Sequence, residues 1–198
     1  MSNLKTISVI GAGPLGRRLA WLSSRAGFRT ILEDVMPWNM RQAVAHLEQL
    51  QSRDGGTATA SAGSGSLEFA TTLDGAVRTA DLVIDCVPDE LESKLEIFSL
   101  LDRMAPPHTI FGTPTVALSI GDLASCTYRP DQCVAFQLKA VFLGEAELPE
   151  SIEIVQTTRT RPDVVATVQA FWAALGHRTT VRTDEWRELS PAPQPTKQ

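Results

Sequence analysis

Three glycines, Gly11, Gly13 and Gly16, carry the clearest chemical potential in this chain. They stand as Gly-x-Gly-x-x-Gly within Ile7-Ser8-Val9-Ile10-Gly11-Ala12-Gly13-Pro14-Leu15-Gly16. An apolar Ile/Val run enters them, and a helical pattern (Leu15, Leu19, Ala20, Leu22) leaves them. That order suits the pyrophosphate of a dinucleotide. Gly11 permits the tight turn, Gly13 lets backbone approach the phosphates, and Gly16 lets the helix pack close on the strand. The helix N-terminus that follows offers unpaired N–H groups and partial positive charge to an anion. The plainer alternative is an ordinary strand–turn–helix whose glycines serve geometry alone. Against it stands a second strand-like run, Arg29-Thr30-Ile31-Leu32-Glu33-Asp34, which ends in an acid 18 residues beyond Gly16. That spacing suits a carboxylate that accepts hydrogen bonds from the adenosine ribose hydroxyls. A carboxylate at Asp34 also repels a 2′-phosphate, so the expected cofactor is NAD rather than NADP. Arg29 and Arg41 are expected on solvated faces.

The elements that must hold these residues alternate along the chain. Pro37 to about Gln51 reads as a helix with Met40, Ala43, Val44, Leu47 and Leu50 on one face. Residues 52–66 are rich in Gly, Ser, Thr and Ala and read as a loop. Short strand and helix signals follow at Leu67–Ala70 and Leu73–Thr79. Asp81–Val87 is apolar in its middle, as a buried parallel strand should be. Next come a helix at Glu90–Met104, a strand at His108–Thr113 and a helix at Leu118–Ser125. Strands are expected at Cys133–Leu138 and Ile152–Gln156, a helix from Pro162 to Leu175 capped by Gly176, and a strand at Thr179–Arg182. This alternation predicts an α/β fold of the Rossmann-type, doubly wound, with a mainly parallel sheet and helices on both faces. One dinucleotide-binding domain is expected over 1–184, and a polar, proline-rich disordered tail over 185–198.

A formal charge of −5 without basic runs argues against a nucleic-acid partner. No signal-peptide pattern or membrane-length apolar run is present, and the three cysteines (Cys86, Cys126, Cys133) read as reduced thiols. A cytoplasmic protein is expected, without a metal site, since no cysteine has a Cys or His at ligand spacing.

Further motifs narrow the reading. The segment Asp81-Leu-Val-Ile-Asp-Cys-Val-Pro-Asp-Glu-Leu-Glu-Ser-Lys-Leu-Glu-Ile-Phe joins an aliphatic strand to an acid and a Lys-bearing helix. It is followed by Thr109-Ile-Phe-Gly-Thr-Pro-Thr. Together with the glycine loop, these resemble the N-terminal NAD-binding domain of the 3-hydroxyacyl-CoA dehydrogenases, over roughly residues 5 to 184. The resemblance implies a cofactor-binding set that adds Cys86, Val87 and Asp89 to the glycine loop and Asp34. Asp89 stands where the family has a cofactor-facing Glu. Lys94 matches a Lys near nicotinamide and substrate, and Thr113 matches a substrate-contacting Ser. Pro114 replaces the family's neighbouring Asn.

The same resemblance exposes two departures. In that family a His takes the proton of the substrate's 3-hydroxyl while hydride leaves C3, and a Glu on the following strand orients it. Here Gln137 stands at the His position, Ala140 at a nearby Asn, and Glu153 at the Glu. Glutamine cannot hold a proton near neutral pH, so the usual base is missing. His46, His108 and His177 fall in no matching motif and read as surface or capping residues. Lys139 shares a strand face with Gln137 and is a candidate base, against the plainer reading of a solvated strand-end lysine. The second departure follows Asp184, where Glu-Trp-Arg-Glu-Leu-Ser replaces the family's Thr-Pro-Gly-Phe link to a helical domain. The short form is therefore expected to be natural or anciently diverged. Apolar residues around Leu138–Leu143 and on the last helix (Val165, Val168, Phe171, Trp172) must in part fill the domain's own core, and the surface left exposed in the Leu138–Leu143 segment or on the outer side of that helix is expected to form a homodimer. Two functions compete: an NAD-dependent oxidoreductase for a hydroxyacyl or small hydroxy-acid substrate, with Gln137, Glu153, Thr113 and Lys94 at its catalytic centre, or a catalytically silent NAD(H)-binding accessory or sensor protein.

Overall fold

Five buried residues, Thr6–Ile10, form the first strand (β1), and the chain crosses the sheet in both directions from it. The computed structural model describes residues 4–53, 65–138 and 148–184. Helix α1 (Pro14–Arg25) carries the chain to β2 (Arg29–Glu33) on one side, and α2 (Pro37–Arg53) leads on to the edge strand β3 (Leu67–Phe69). Helix α3 (Leu73–Val77) then brings the chain back past β1 to β4 (Leu82–Asp85). The outward series continues with α4 (Leu91–Met104), β5 (Ile110–Thr115), α5 (Ile120–Ala124), β6 (Cys133–Gln137), β7 (Ser151–Thr157), α6 (Pro162–Ala174) and β8 (Arg178–Asp184). The spatial order is β3-β2-β1-β4-β5-β6-β7-β8. Reversal of direction between β1 and β4 opens a crevice at their carboxyl ends, which is where ligands bind in such sheets.

Alternation along the strands divides the core. Ile7, Val9, Leu82 and Ile84 face α1, α2 and α6, while Ile10, Val83 and Phe111 face α3, α4 and α5. The sheet is parallel except where β6 meets β7, so the parallel majority expected from the alternation holds.

Three differences from the expected elements have physical causes. The strand expected over His108–Thr113 runs instead over Ile110–Thr115, because the Thr109 N–H closes a turn onto the Pro106 carbonyl. It passes through Pro114 without cost, since pairing with β4 ends at Ile84↔Gly112 and the missing N–H lies beyond that ladder. A 3-10 turn forms at Pro130–Gln132, where no element is expected, with Pro130 opening it and the Gln132 N–H closing onto the Arg129 carbonyl. Finally, the apolar residues expected at a dimer surface fill this domain's own core. Leu138, Val168, Phe171 and Trp172 are almost wholly buried and Val165 is 7% exposed. The ring of Trp172 packs edge-on against Phe136 and Phe171. The remaining members of the expected surface, Val141, Phe142 and Leu143, lie outside the described residues, as do the tail and the 54–64 segment.

Candidate cofactor cleft

Each glycine of the loop meets a different demand. Gly11 has φ +102°, and a Cβ there would lie 2.8 Å from the Cys86 carbonyl. A Cβ on Gly16 would lie 1.8 Å from the Gly11 oxygen, so this helix–strand approach tolerates nothing larger. At Gly13 a Cβ would meet nothing within 4 Å. Gly13 therefore contributes empty space at the mouth of a cleft rather than packing. It is also the N-cap of α1 and makes no side-chain cap bond, with Pro14 in the first turn. The opening turn of α1 thus points at that empty space, which fits a pyrophosphate.

On the adenosine side, Asp34 is held at three points. Its Oδ2 accepts from the Ala12 N–H (2.8 Å) and from Asn39 Nδ2 (3.0 Å). Its Oδ1 accepts from the Met36 N–H at 2.7 Å. Asn39 was not singled out from sequence; its signal was an amide in the first turn of α2, five residues beyond the acid. Beside it, burial and the Asp34 charge push the Glu33 carboxyl above its usual range. Arg29 points away into an ion pair with Glu68 at 2.7 Å, as a solvated residue should. Arg41 is exposed but also lines the cleft, with its guanidinium 5.7 Å above the Trp38 ring.

The cleft has a volume of about 1480 Å³, and Gly11, Gly13, Pro14, Leu15, Gly16 and Asp34 all line it. Cys86, Val87 and Asp89 line its opposite wall, together with Pro114. Asp89 Oδ2 accepts from the Val116 N–H at 2.9 Å, while its Oδ1 is buried with no partner among the described residues. An unpartnered acceptor in the wall of a polar-ended cleft suits a ligand hydroxyl. Burial and the neighbouring Asp85 charge push the Cys86 thiol up.

Lys94 and Thr113 differ from their expected placement. Both are fully buried and neither lines the cleft. Lys94 Nζ lies 3.1 Å from Asp85 Oδ2 and donates to Thr113 Oγ1 at 2.9 Å, while the Thr113 hydroxyl donates to Asp85 at 3.0 Å. The cause is Asp85, a carboxylate at the buried end of β4 that needs an opposite charge. Burial pushes its carboxyl up, against the pull of Lys94 and the Val87 N–H. Asp85 Oδ1 accepts from that N–H at 2.9 Å and Lys94 reaches the Val87 carbonyl at 3.4 Å, so the pair fixes the turn carrying Cys86 and Val87.

At the expected catalytic position, Gln137 stands directly opposite Glu153 across the antiparallel β6–β7 pair. The sequence reading paired the same two residues. Glu153, however, is engaged by Arg182 Nε at 3.2 Å, and Gln137 Nε2 donates to the Val116 carbonyl at 3.4 Å. Arg182 was not anticipated; it reaches Glu153 from β8, the neighbouring strand. Lys139 and Ala140 lie outside the described residues. None of the three histidines lines the cleft: His46 is exposed, His108 pairs with Asp81 at 3.2 Å, and His177 meets the Pro149 carbonyl at 2.9 Å. Among the described residues no group of three His, Cys, Asp or Glu could hold a metal, and no helix is long and apolar enough to cross a membrane.

A probable 3-hydroxybutyryl-CoA dehydrogenase of Bacillus subtilis is 28% identical over 188 residues, covering 92% of this chain and 63% of that protein. A 5-formyl-3-hydroxy-2-methylpyridine 4-carboxylate 5-dehydrogenase of Mesorhizobium japonicum is 27% identical, covering 87% of this chain and 55% of that protein. A solved diketoreductase structure superposes with a TM-score of 0.76 at 28% identity, covering 92% of this chain and 65% of that one. The chain thus spans somewhat more than half the length of these relatives. Residues 6–185 match the family described as 3-hydroxyacyl-CoA dehydrogenase, NAD binding domain. This chain belongs to that family, as an NAD-binding domain of the Rossmann type.

Proposed function

We propose that this chain binds NAD in the β1–β4 cleft and serves as the cofactor half of an oxidoreductase for a hydroxyacyl thioester or small hydroxy acid. Gly13 and the first turn of α1 hold the pyrophosphate, Asp34 the adenosine ribose, and Asp89 a hydroxyl of the second ribose. Bound nicotinamide supplies a hydride acceptor or donor. Lys94 and Thr113 act as positioning residues, through the Val87 turn. Assembly as a cytoplasmic homodimer belongs to the same reading, as does a place in fatty-acid metabolism.

One observation carries this reading. The cofactor side offers a Gly13 cradle and an unpartnered Asp89 oxygen, whereas Gln137, at the family's base position, lies outside the cleft's lining and its neighbour Glu153 is paired with Arg182. An amide can orient a substrate hydroxyl but cannot take its proton. That favours a second reading, a silent NAD(H)-binding accessory or sensor protein. Titration with NADH and with NAD, followed by assay of the NAD-loaded chain with a panel of 3-hydroxyacyl thioesters, separates the two. Binding with change in nicotinamide absorbance supports the oxidoreductase, and binding without it supports the sensor. No binding overturns both.

A further inference from the structure

Strand β8 closes one edge of the sheet and pairs only with β7 among the described residues. It is seven residues long, Arg-Thr-Thr-Val-Arg-Thr-Asp, with no proline or glycine, and five of its residues are exposed. Such an edge is a template for another strand unless something covers it. Its geometry also selects the strand. The Arg178 N–H donates to the Glu150 carbonyl at 3.0 Å, so Arg178, Thr180 and Arg182 turn their backbone groups toward β7. Thr179, Val181 and Thr183 therefore aim theirs at the open edge.

We infer that two copies of this chain pair β8 to β8, antiparallel about a two-fold axis through Val181, joining both sheets into one. This names the interface of the homodimer proposed above and rests on that reading.

The register follows from the side chains. Gln169 of α6 reaches Thr179 at 3.4 Å and Ser119 of α5 donates to Asp184 at 2.9 Å, which assigns odd residues of β8 to the α6 face and even residues to the α5 face. Residues directly opposite in a sheet share a face, so a two-fold that keeps both α6 helices on one side pairs odd with odd and even with even. Centring on Val181 sets Arg178 opposite Asp184 twice, Thr180 opposite Arg182, and Thr179 opposite Thr183. Sliding by one allowed step sets Arg178 opposite Arg182, or Arg182 opposite itself, and like charges directly opposite are unfavourable. The Arg178–Asp184 pairs fall at non-hydrogen-bonded positions, where side chains lie closest. Arg178 is available for this, because its present pair with Glu150 is 81% and 91% exposed and weakly held. Val181, 43% exposed in the single chain, is covered by its own copy.

Sedimentation velocity of the full chain at about 10–100 μM, where a standard-sized interface is populated, reads the outcome. The wild type is expected at twice the chain mass. V181P removes an N–H that β7 does not use and is expected to weaken the dimer at least tenfold while NADH binding persists. R178E opposes two carboxylates and is expected to do the same. R178E/D184R reverses the pair and is expected to restore the dimer, a rescue that a merely unfolded variant would not give. A wild-type monomer throughout overturns both the interface and the homodimer. A dimer that V181P and R178E leave intact overturns the interface alone.

Discussion

The three loop glycines do separable work at the residue scale, and substitution should separate it. Gly13 borders open space, so G13V is expected to fold normally and weaken NADH binding at least tenfold, about 1.4 kcal/mol, by filling the phosphate cradle. Gly16 abuts the Gly11 oxygen, so G16A is expected to lower thermal stability. Equal NADH affinity in G13V and wild type would remove the cradle. The buried Lys94–Asp85 pair behaves differently again. K94M strands a carboxylate in the core and is expected to cost about 3–5 kcal/mol in urea unfolding, most of it recovered when Asp85 is also made apolar. A loss below about 1 kcal/mol, the range of exposed pairs, would contradict that pairing. Gln137 gives the third test at this scale. Q137H alone is expected to show no hydroxyacyl dehydrogenase activity, because the orienting carboxylate of Glu153 is already held by Arg182. A clear gain in an absorbance assay at the nicotinamide band would show that the substrate wall is intact.

At the scale of elements, the carboxyl end of β2 carries a pH signature. Burial and Asp34 raise the Glu33 carboxyl above its ordinary value of 4.5, so the folded chain binds the proton more tightly than the unfolded chain. That contribution is fully present below the ordinary value and is lost as pH rises through the raised one. E33Q is therefore expected to gain stability relative to wild type as pH is raised above about 4.5, read by thermal melts across pH. A pH-independent difference would contradict it. The strand–loop–helix of β1 and α1 was legible in sequence because glycine spacing and apolar runs are local signals. The same holds for the Asp34 position and for most helices, whose apolar spacing is itself the fold's requirement. Pairing across the sheet was less legible. The sign of β6–β7, the reach of Arg182 to Glu153 and the sealing of Lys94 beneath Val87 depend on residues distant in the chain. Resemblance supplied Lys94 as a cleft residue; the charge of Asp85 at the buried end of β4 draws it inward instead. The apolar stripe of α6 was visible, but its partner was not, and the sheet itself covers Val168, Phe171 and Trp172.

Considered as a whole molecule, the protein combines a net charge of −5, a doubly wound sheet and a large cleft at the reversal of strand order. The glycine loop and Asp34 line it on one side and Cys86, Val87, Asp89 and Pro114 on the other, while Gln137 lies outside its lining. On the proposed reading this cleft selects NAD, through a carboxylate at Asp34 that Ala12, Met36 and Asn39 hold in place. Calorimetric titration of the wild-type chain with NADH and then with NADPH tests it most directly. Saturable one-site NADH binding is expected, at least tenfold tighter than NADPH, about 1.4 kcal/mol, with that gap narrowed in D34A. Equal affinity for the two cofactors, or no saturable binding of NADH, would contradict it.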